Sequence, residues 1–363
     1  MADNSITLQK TPLYEAHARL GAKMSPFGGW LMPIQYEGIL AEHAYTRSMV
    51  SVFDICHMGE FLLEGDAVAS GLDRIVTQNI VSMPEGSCRY GFMLNEYGGV
   101  IDDLIVYRLE KEVWMIVVNA ATIATDQKNF QENLLGNSHF DNVSGQLGKL
   151  DVQGPRSSEV MSGVFGVEIH KLDYYSFGEF TFNGESCIIS RTGYTGELGY
   201  EVYVPVKDVA SLWEIFLKDG VAKPAGLGCR DTLRLEMGYP LYGHELDINH
   251  TPIAACLDKF VDFSKDFIGK EALLRQRKSG PKERLVCFKA SSRRAPRNGF
   301  AIFKDGKQVG MVTSGSFSPS LSVGIGMGYV SGDNQVGTEL IIKDANIEIP
   351  VEIVSKPFYK TIH

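Results

Sequence analysis

No window of this 363-residue chain is apolar over the ~18–20 residues that a membrane-spanning helix needs, so no membrane segment is expected. Six cysteines (Cys56, Cys88, Cys187, Cys229, Cys256 and Cys287) are scattered without a C-x-x-C pair. That pattern argues against a zinc ribbon or a disulfide scaffold and fits free thiols in a reducing cytoplasm. The opening residues have no apolar signal core and are neither Arg-rich nor free of acids, so no targeting peptide is read there. A phosphate loop of the G-x-x-x-x-G-K-[ST] kind is missing. Gly324 to Gly328 begins like a dinucleotide fingerprint, but no helical pattern follows, which leaves a strand. His244, Glu245 and His250 lack the i, i+4 spacing of a metalloprotease helix, and no metal is expected. Cys56 and His57 are sequence neighbours that an extended backbone points apart, so a thiol nucleophile is not read either. Positive charge is short overall: the net charge of -9 excludes a general nucleic-acid binder. It is unevenly spread, with ten Lys or Arg between Lys270 and Arg297 against Glu271 and Glu283 alone. Such a stretch is either a solvated helix-and-loop face or a landing strip for an acidic partner or a polyanionic ligand tail.

What is present describes a globular α+β protein. The length allows two or three domains. Residues 59–144 read as one small α+β unit. A helix runs from the Asp66 cap through Gln78, strands Leu104–Leu109 and Val113–Val118 pair across a Glu-Lys-Glu turn, and a helix follows from Thr122 to Leu135. Residues 1–58 with 145–250 form a second, discontinuous unit. It holds a helix over Gly38–Met49, a hairpin over Glu179–Ser190 turning at Asn183-Gly184, and a helix over Val206–Lys218 with Val209, Leu212, Trp213 and Phe216 on its core face. Residues 251–282 read as a linker. Residues 283–363 carry short strands and Gly-rich turns, the pattern of a small β-barrel or jelly roll.

The candidate chemistry begins at Gly98-Gly99-Val100-Ile101-Asp102-Asp103-Leu104. Adjacent residues on an extended segment face opposite ways, so one of the two carboxylates looks into a pocket and the other takes solvent, an edge or a capping role. A carboxylate beside Ile101, Leu104 and Ile105 is poorly solvated, which raises its pKa and suits an acid or base. The plainer alternative is a turn with ordinary turn aspartates. Ser190 to Glu201 follows, with three glycines that allow close backbone approach, and then Gly226 to Glu236, a turn entering a helix. Glu201 and Arg230 together suit a flat heterocycle with donor and acceptor edges; equally, they suit a structural ion pair with each other.

At these residues the chain closely resembles the aminomethyltransferase (T protein) family of the glycine cleavage system. Thr11 to Tyr14, Phe27 to Pro33, Phe53 to Met58, Gly98 to Leu104, Arg191 to Glu197, Gly226 to Asp231 and Thr313 to Pro319 fit that family in order. Cys56 stands where the family usually has Ser and Cys229 where it has Ala, both small for small. The resemblance implies a three-domain, cloverleaf-like fold with a C-terminal β-barrel. It also implies transfer of the methylene carbon from the aminomethyl-dihydrolipoyl arm of the lipoylated H protein to tetrahydrofolate, yielding 5,10-methylenetetrahydrofolate, ammonia and dihydrolipoyl H protein. Carried over by motif, Asp103 resembles the catalytic carboxylate. Glu201, Arg230, Tyr194, Tyr90 and Tyr174 resemble folate contacts, Arg297 an arginine near the active site, and Asn119 a weaker member of the set. Intact Gly98–Leu104 and Arg191–Glu201 blocks set the chain apart from folate-dependent demethylases on the same fold. The lack of a distinct cysteine motif in its later part sets it apart from accessory relatives in iron–sulfur maturation.

Overall fold

The computed structural model describes residues 7–361 apart from Asn137 and Asn346; the opening six residues of the N-terminal reading lie outside the described residues. The described residues divide into two compact units, one within 7–61 and 141–231, the other within 62–140 and 232–361.

The first unit is built on a six-stranded sheet in the order Phe177–Phe182, Glu185–Ser190, Gly199–Pro205, Leu147–Gln153, Val50–Asp54, Ala222–Pro224. The hairpin over 177–190 turns at Asn183-Gly184, both at positive φ. Helix Val209–Leu217 buries Val209, Leu212, Trp213 and Phe216 against sheet residues Leu150, Val152, Val202 and Val204. These four positions recur at helical spacing, so the apolar stripe and the core face coincide. Helix Ile39–Ser48 begins after Gly38.

In the second unit, strands Ser87–Leu94, Val100–Glu110 and Val113–Val118 form consecutive antiparallel neighbours of a five-stranded sheet. Helix Ile123–Asn133 follows the third of them. The helix expected from Asp66 to Gln78 shrinks to Leu72–Ile75. Gly71 at φ +80 interrupts it, and the Asp66 carboxylate instead accepts the N–H groups of Val68 and Ala69 in a local turn. The stretch read as a linker contains helix Lys270–Ser279, whose Leu273 is buried with Phe92, Leu94, Val100 and Phe267. From Glu283 onward six strands close into a barrel in the order Glu283–Ala290, Val323–Ser331, Lys307–Ser318, Ala301–Lys304, Glu339–Asp344, Ile347–Val354. Gly324 to Gly328 lies in one of these strands. Among the described residues no helix is long and apolar enough to cross a membrane.

Candidate active site

Strand Val100–Glu110 enters from a turn built by Asn95, whose side-chain oxygen accepts the N–H groups of Tyr97 and Gly99. Gly99 has no room for a side chain, since a Cβ there would lie 1.9 Å from the Ile248 carbonyl oxygen. The strand then carries Asp103 opposite Phe92, and Tyr90 stands two residues along the facing strand on the same side of the sheet. The Tyr90 hydroxyl donates to Asp103 Oδ2 at 2.8 Å, and Asn119 Nδ2 donates to Asp103 Oδ1 at 2.9 Å. Edge-to-face contacts with Phe92 and Phe260 hold the Tyr90 ring. Burial, then the neighbouring Asp102 charge, push the Asp103 carboxyl up to about 7, while the Tyr90 and Asn119 hydrogen bonds pull it down.

Of the three alternatives for the second carboxylate, Asp102 takes the capping role, on a backbone N–H just past a strand end. It takes neither solvent nor an edge: it is 0% exposed, with Oδ2 accepting the Asn119 backbone N–H at 3.0 Å and Oδ1 accepting the Asn119 side chain at 2.8 Å. Asn119 sits just past the end of strand Val113–Val118, where the ladder stops, and from there its amide reaches both aspartates.

In the first unit, paired strands place Glu201 opposite Asp151 and Tyr203 opposite Lys149. The ion pair of Arg230 is with Asp151, not with Glu201. Its guanidinium lies 5.0 Å from the centre of the Tyr194 ring. Glu201 accepts the Thr192 hydroxyl at 2.6 Å and lies 3.7 Å from Lys149 Nζ, which is itself buried over the Tyr203 ring. Burial pushes Asp151 up to about 6 against the opposing pull of Arg230. It pushes Glu60, in the same unit, up to about 8 against that of Lys149. Among the described residues Glu60 Oε1 and His57 Nδ1 are buried without a hydrogen-bond partner, and burial lowers His57 to about 4. The close approach made by Gly193 and Gly199 is to the protein's own Gln153 amide, within 2.2 Å and 2.0 Å of where their Cβ atoms would lie.

Thus Tyr90, Asp103 and Asn119 come together in one unit, and Glu201, Arg230 and Tyr194 in the other. Tyr174 is exposed, its ring edge-on to Tyr175, and Arg297 is exposed in the loop before barrel strand Ala301–Lys304. Cys56 and Cys229 are buried thiols whose pKa values burial raises. Lys149, Asp151 and Asp126 are the residues that sequence reasoning missed. Lys149 and Asp151 alternate with Leu150 and Val152, a pattern that normally marks a solvent-facing strand side. Asp126 shares a helix face with Phe130 and is 0% exposed; an acid on an apolar stripe is the signal it left.

The GCVT N-terminal domain family model matches residues 13–265, and that of the glycine cleavage T-protein C-terminal barrel domain matches residues 283–360. The aminomethyltransferase of Halothermothrix orenii is 43% identical over 356 residues, covering 97% of this chain and 100% of that protein. The aminomethyltransferase of Listeria monocytogenes is 40% identical over 357 residues, covering 97% and 98%. Among solved structures, glycine cleavage system aminomethyltransferase T from Bartonella henselae matches with a TM-score of 0.93 at 33% identity, covering 98% of this chain and 99% of that one. Two family domains that together run from residue 13 to residue 360, relatives matched end to end and a shared backbone trace make this chain a member of the aminomethyltransferase family of glycine cleavage T proteins.

Proposed function

We propose that this enzyme transfers the methylene carbon of the aminomethyl group on the dihydrolipoyl arm of the lipoylated H protein to tetrahydrofolate, forming 5,10-methylenetetrahydrofolate, ammonia and dihydrolipoyl H protein. The observation that carries the reading is Asp103, a half-buried carboxyl titrating near neutrality with one donor already on each oxygen. Such a group is held in one orientation and still has lone pairs to accept a proton. In the donor, the carbon is bonded to sulfur and to a protonated amine. Ammonia leaves with the C–N bonding pair, positive charge spreads over carbon and sulfur, and a folate nitrogen supplies the pair for the new C–N bond. The Asp103 carboxylate stabilises that charge and takes the nitrogen's proton. Closure onto the second folate nitrogen breaks the C–S bond, and the arm leaves as a thiol. No net oxidation occurs.

Tetrahydrofolate enters as a substrate, and the residues of the first unit fit its heterocycle. Glu201 offers carboxylate lone pairs to N–H donors. The unpartnered Glu60 and His57 atoms are buried polar groups that a ring with N–H and C=O edges would satisfy. Arg230, Tyr194 and Tyr174 supply a cation and flat faces; Tyr90, Asn119 and Arg297, of the second unit, belong to the proposed set by the family resemblance alone. Six cysteines, none in a disulfide among the described residues, support a reducing, cytoplasmic setting. The test is release of ammonia and methylenetetrahydrofolate from aminomethylated H protein, with wild type and Asp103→Asn side by side. Turnover in the variant is expected to fall ~10²-fold or more, the usual scale for losing a positioned acid–base group. Wild-type-like turnover would overturn the assignment of Asp103.

A further inference from the structure

Asp126 lies within the second unit and takes no part in the mechanism above. Its carboxyl is 0% exposed on the first turn of helix Ile123–Asn133; among the described residues neither oxygen has a partner at full hydrogen-bond geometry, and the groups close enough to act on it are the Asp102 carboxyl and the Thr122 hydroxyl. An ionised carboxylate in that position is strongly disfavoured unless it is paired with a cation, so the site favours a proton. Its neighbour is the equally buried Asp102, and each acts on the other. The titratable groups facing these carboxyls are Asp103, Tyr90 and Tyr242, with Asp247 acting in turn on Tyr242. Burial raises the Tyr242 phenol, which keeps it neutral. None of the three aspartates has an ion pair with a described cation, and among the described residues no group of His, Cys, Asp or Glu could hold a metal ion. Burial, and the like charge of Asp126, raise Asp102 well above the carboxylate range; burial brings Asp126 up to about 7.

Two buried acids side by side without a cation hold one proton between them. Asp102 uses both of its oxygens on Asn119, one for the backbone N–H and one for the side-chain amide. That double grip fixes the amide so that its other hydrogen meets Asp103 Oδ1. We propose that Asp126 is a positioning residue for Asp103: it shares one proton with Asp102, and this acid pair, acting through Asn119, sets both the orientation of the Asp103 carboxyl and the charge beside it. The proposal rests on the role of Asp103 in transfer for its importance to turnover, but not for its existence.

The signs follow from the shared proton. With Asp126→Asn, Asp102 loses its like-charged neighbour and carries more negative charge beside Asp103, although burial still raises it. With Asp102→Asn, that charge disappears. The midpoint of Asp103 is therefore expected to rise by about one pH unit in the first variant and to fall by about one in the second. A merely structural role would change stability without moving the midpoint in opposite directions.

The experiment is a ¹³C-carboxyl NMR titration of aspartate-labelled protein without folate or H protein, using wild type and the Asp102→Asn, Asp103→Asn and Asp126→Asn variants, the Asp103 variant serving to assign that resonance. In wild type, a carboxyl other than Asp103 is expected to keep its proton to about pH 7, and opposite midpoint shifts are expected in the other two variants. If the only aspartates still protonated above pH 5 are Asp103 and Asp151, which burial by itself raises to about 6, or if the Asp103 midpoint is the same in all folded variants, the acid pair does not exist. The wild-type titration decides this even if a variant does not fold. Turnover measured in parallel separates the two readings: a wild type that shows the acid pair but transfers no one-carbon unit overturns the proposed function and leaves the acid pair standing.

Discussion

Asp151 and Glu201 face each other directly across paired strands, two buried carboxylates in register, and each is matched to its own cation: Arg230 to Asp151 and Lys149 to Glu201. Like charges directly opposite on a sheet destabilise it unless compensated. The cations are therefore structural requirements of the register as well as features of the site.

Lys149→Met tests this. The change keeps the volume and removes the charge, leaving Glu201 buried without its cation beside a raised Glu60. Breaking a buried ion pair from one side costs ~3–5 kcal/mol. The urea midpoint is expected to drop accordingly, with part of the loss recovered in Lys149→Met combined with Glu201→Gln. An unchanged midpoint in the single variant would show that Lys149 does not hold the Glu201 charge.

Asp103→Asn should stabilise the protein at alkaline pH while disabling it. The folded carboxyl titrates near 7 and an unfolded aspartate near 3.8. Between those values the folded state binds more protons, so this group's contribution to stability falls as pH rises through that window. The variant removes the effect. Its Tm is expected to exceed that of wild type at pH 8 and to differ little at pH 4; equal offsets at both pH values would contradict the raised pKa.

Gly99→Ala pushes a methyl into the Ile248 carbonyl, with Asn95 Nδ2 2.8 Å away. Asn95 builds the turn that aims the Asp103 strand, and its Nδ2 donates to that same Ile248 carbonyl at 3.0 Å. A loss of ~1–3 kcal/mol is expected from the overpacking, with a fall in turnover as the strand shifts. Thermal unfolding and the transfer assay together check it, since a stable variant with full activity would mean that the turn relaxes freely.

Exposed Arg275, Arg277 and Lys278 on helix Lys270–Ser279, and Arg293, Arg294 and Arg297 in the loop before the barrel strand Ala301–Lys304, make this stretch the proposed docking surface for an acidic carrier protein or an anionic ligand tail. Affinity for the H protein, followed by calorimetry from 50 to 500 mM NaCl, is then expected to weaken steadily as salt screens the charges. An affinity that ignores salt places the docking elsewhere.

Local order was legible wherever a short-range rule operates. The stripe of Val209, Leu212, Trp213 and Phe216 defines its own helix because burial follows the helical period. Asn183-Gly184 defines its own hairpin, and the barrel strands announce themselves between Gly-rich turns. The exception near Asp66 is instructive. A capping residue and an apolar period were both present, yet Gly71 took a left-handed conformation and Asp66 closed a turn.

The sequence by itself determined which family the chain belongs to and which residues are proposed to carry its chemistry, because the Gly98–Leu104, Arg191–Glu197 and Gly226–Asp231 blocks are contiguous and distinctive. Only the tertiary structure decided what each of them touches. Arg230 finds Asp151, 79 residues away, instead of Glu201; Lys149 turns inward from a strand whose alternation looks solvent-facing; Asp102 goes to the interior with Asp126. The physical reason is that a charge's partner and its desolvation depend on neighbours brought together by folding over long stretches of chain. Periodicity and spacing report only neighbours a few residues apart.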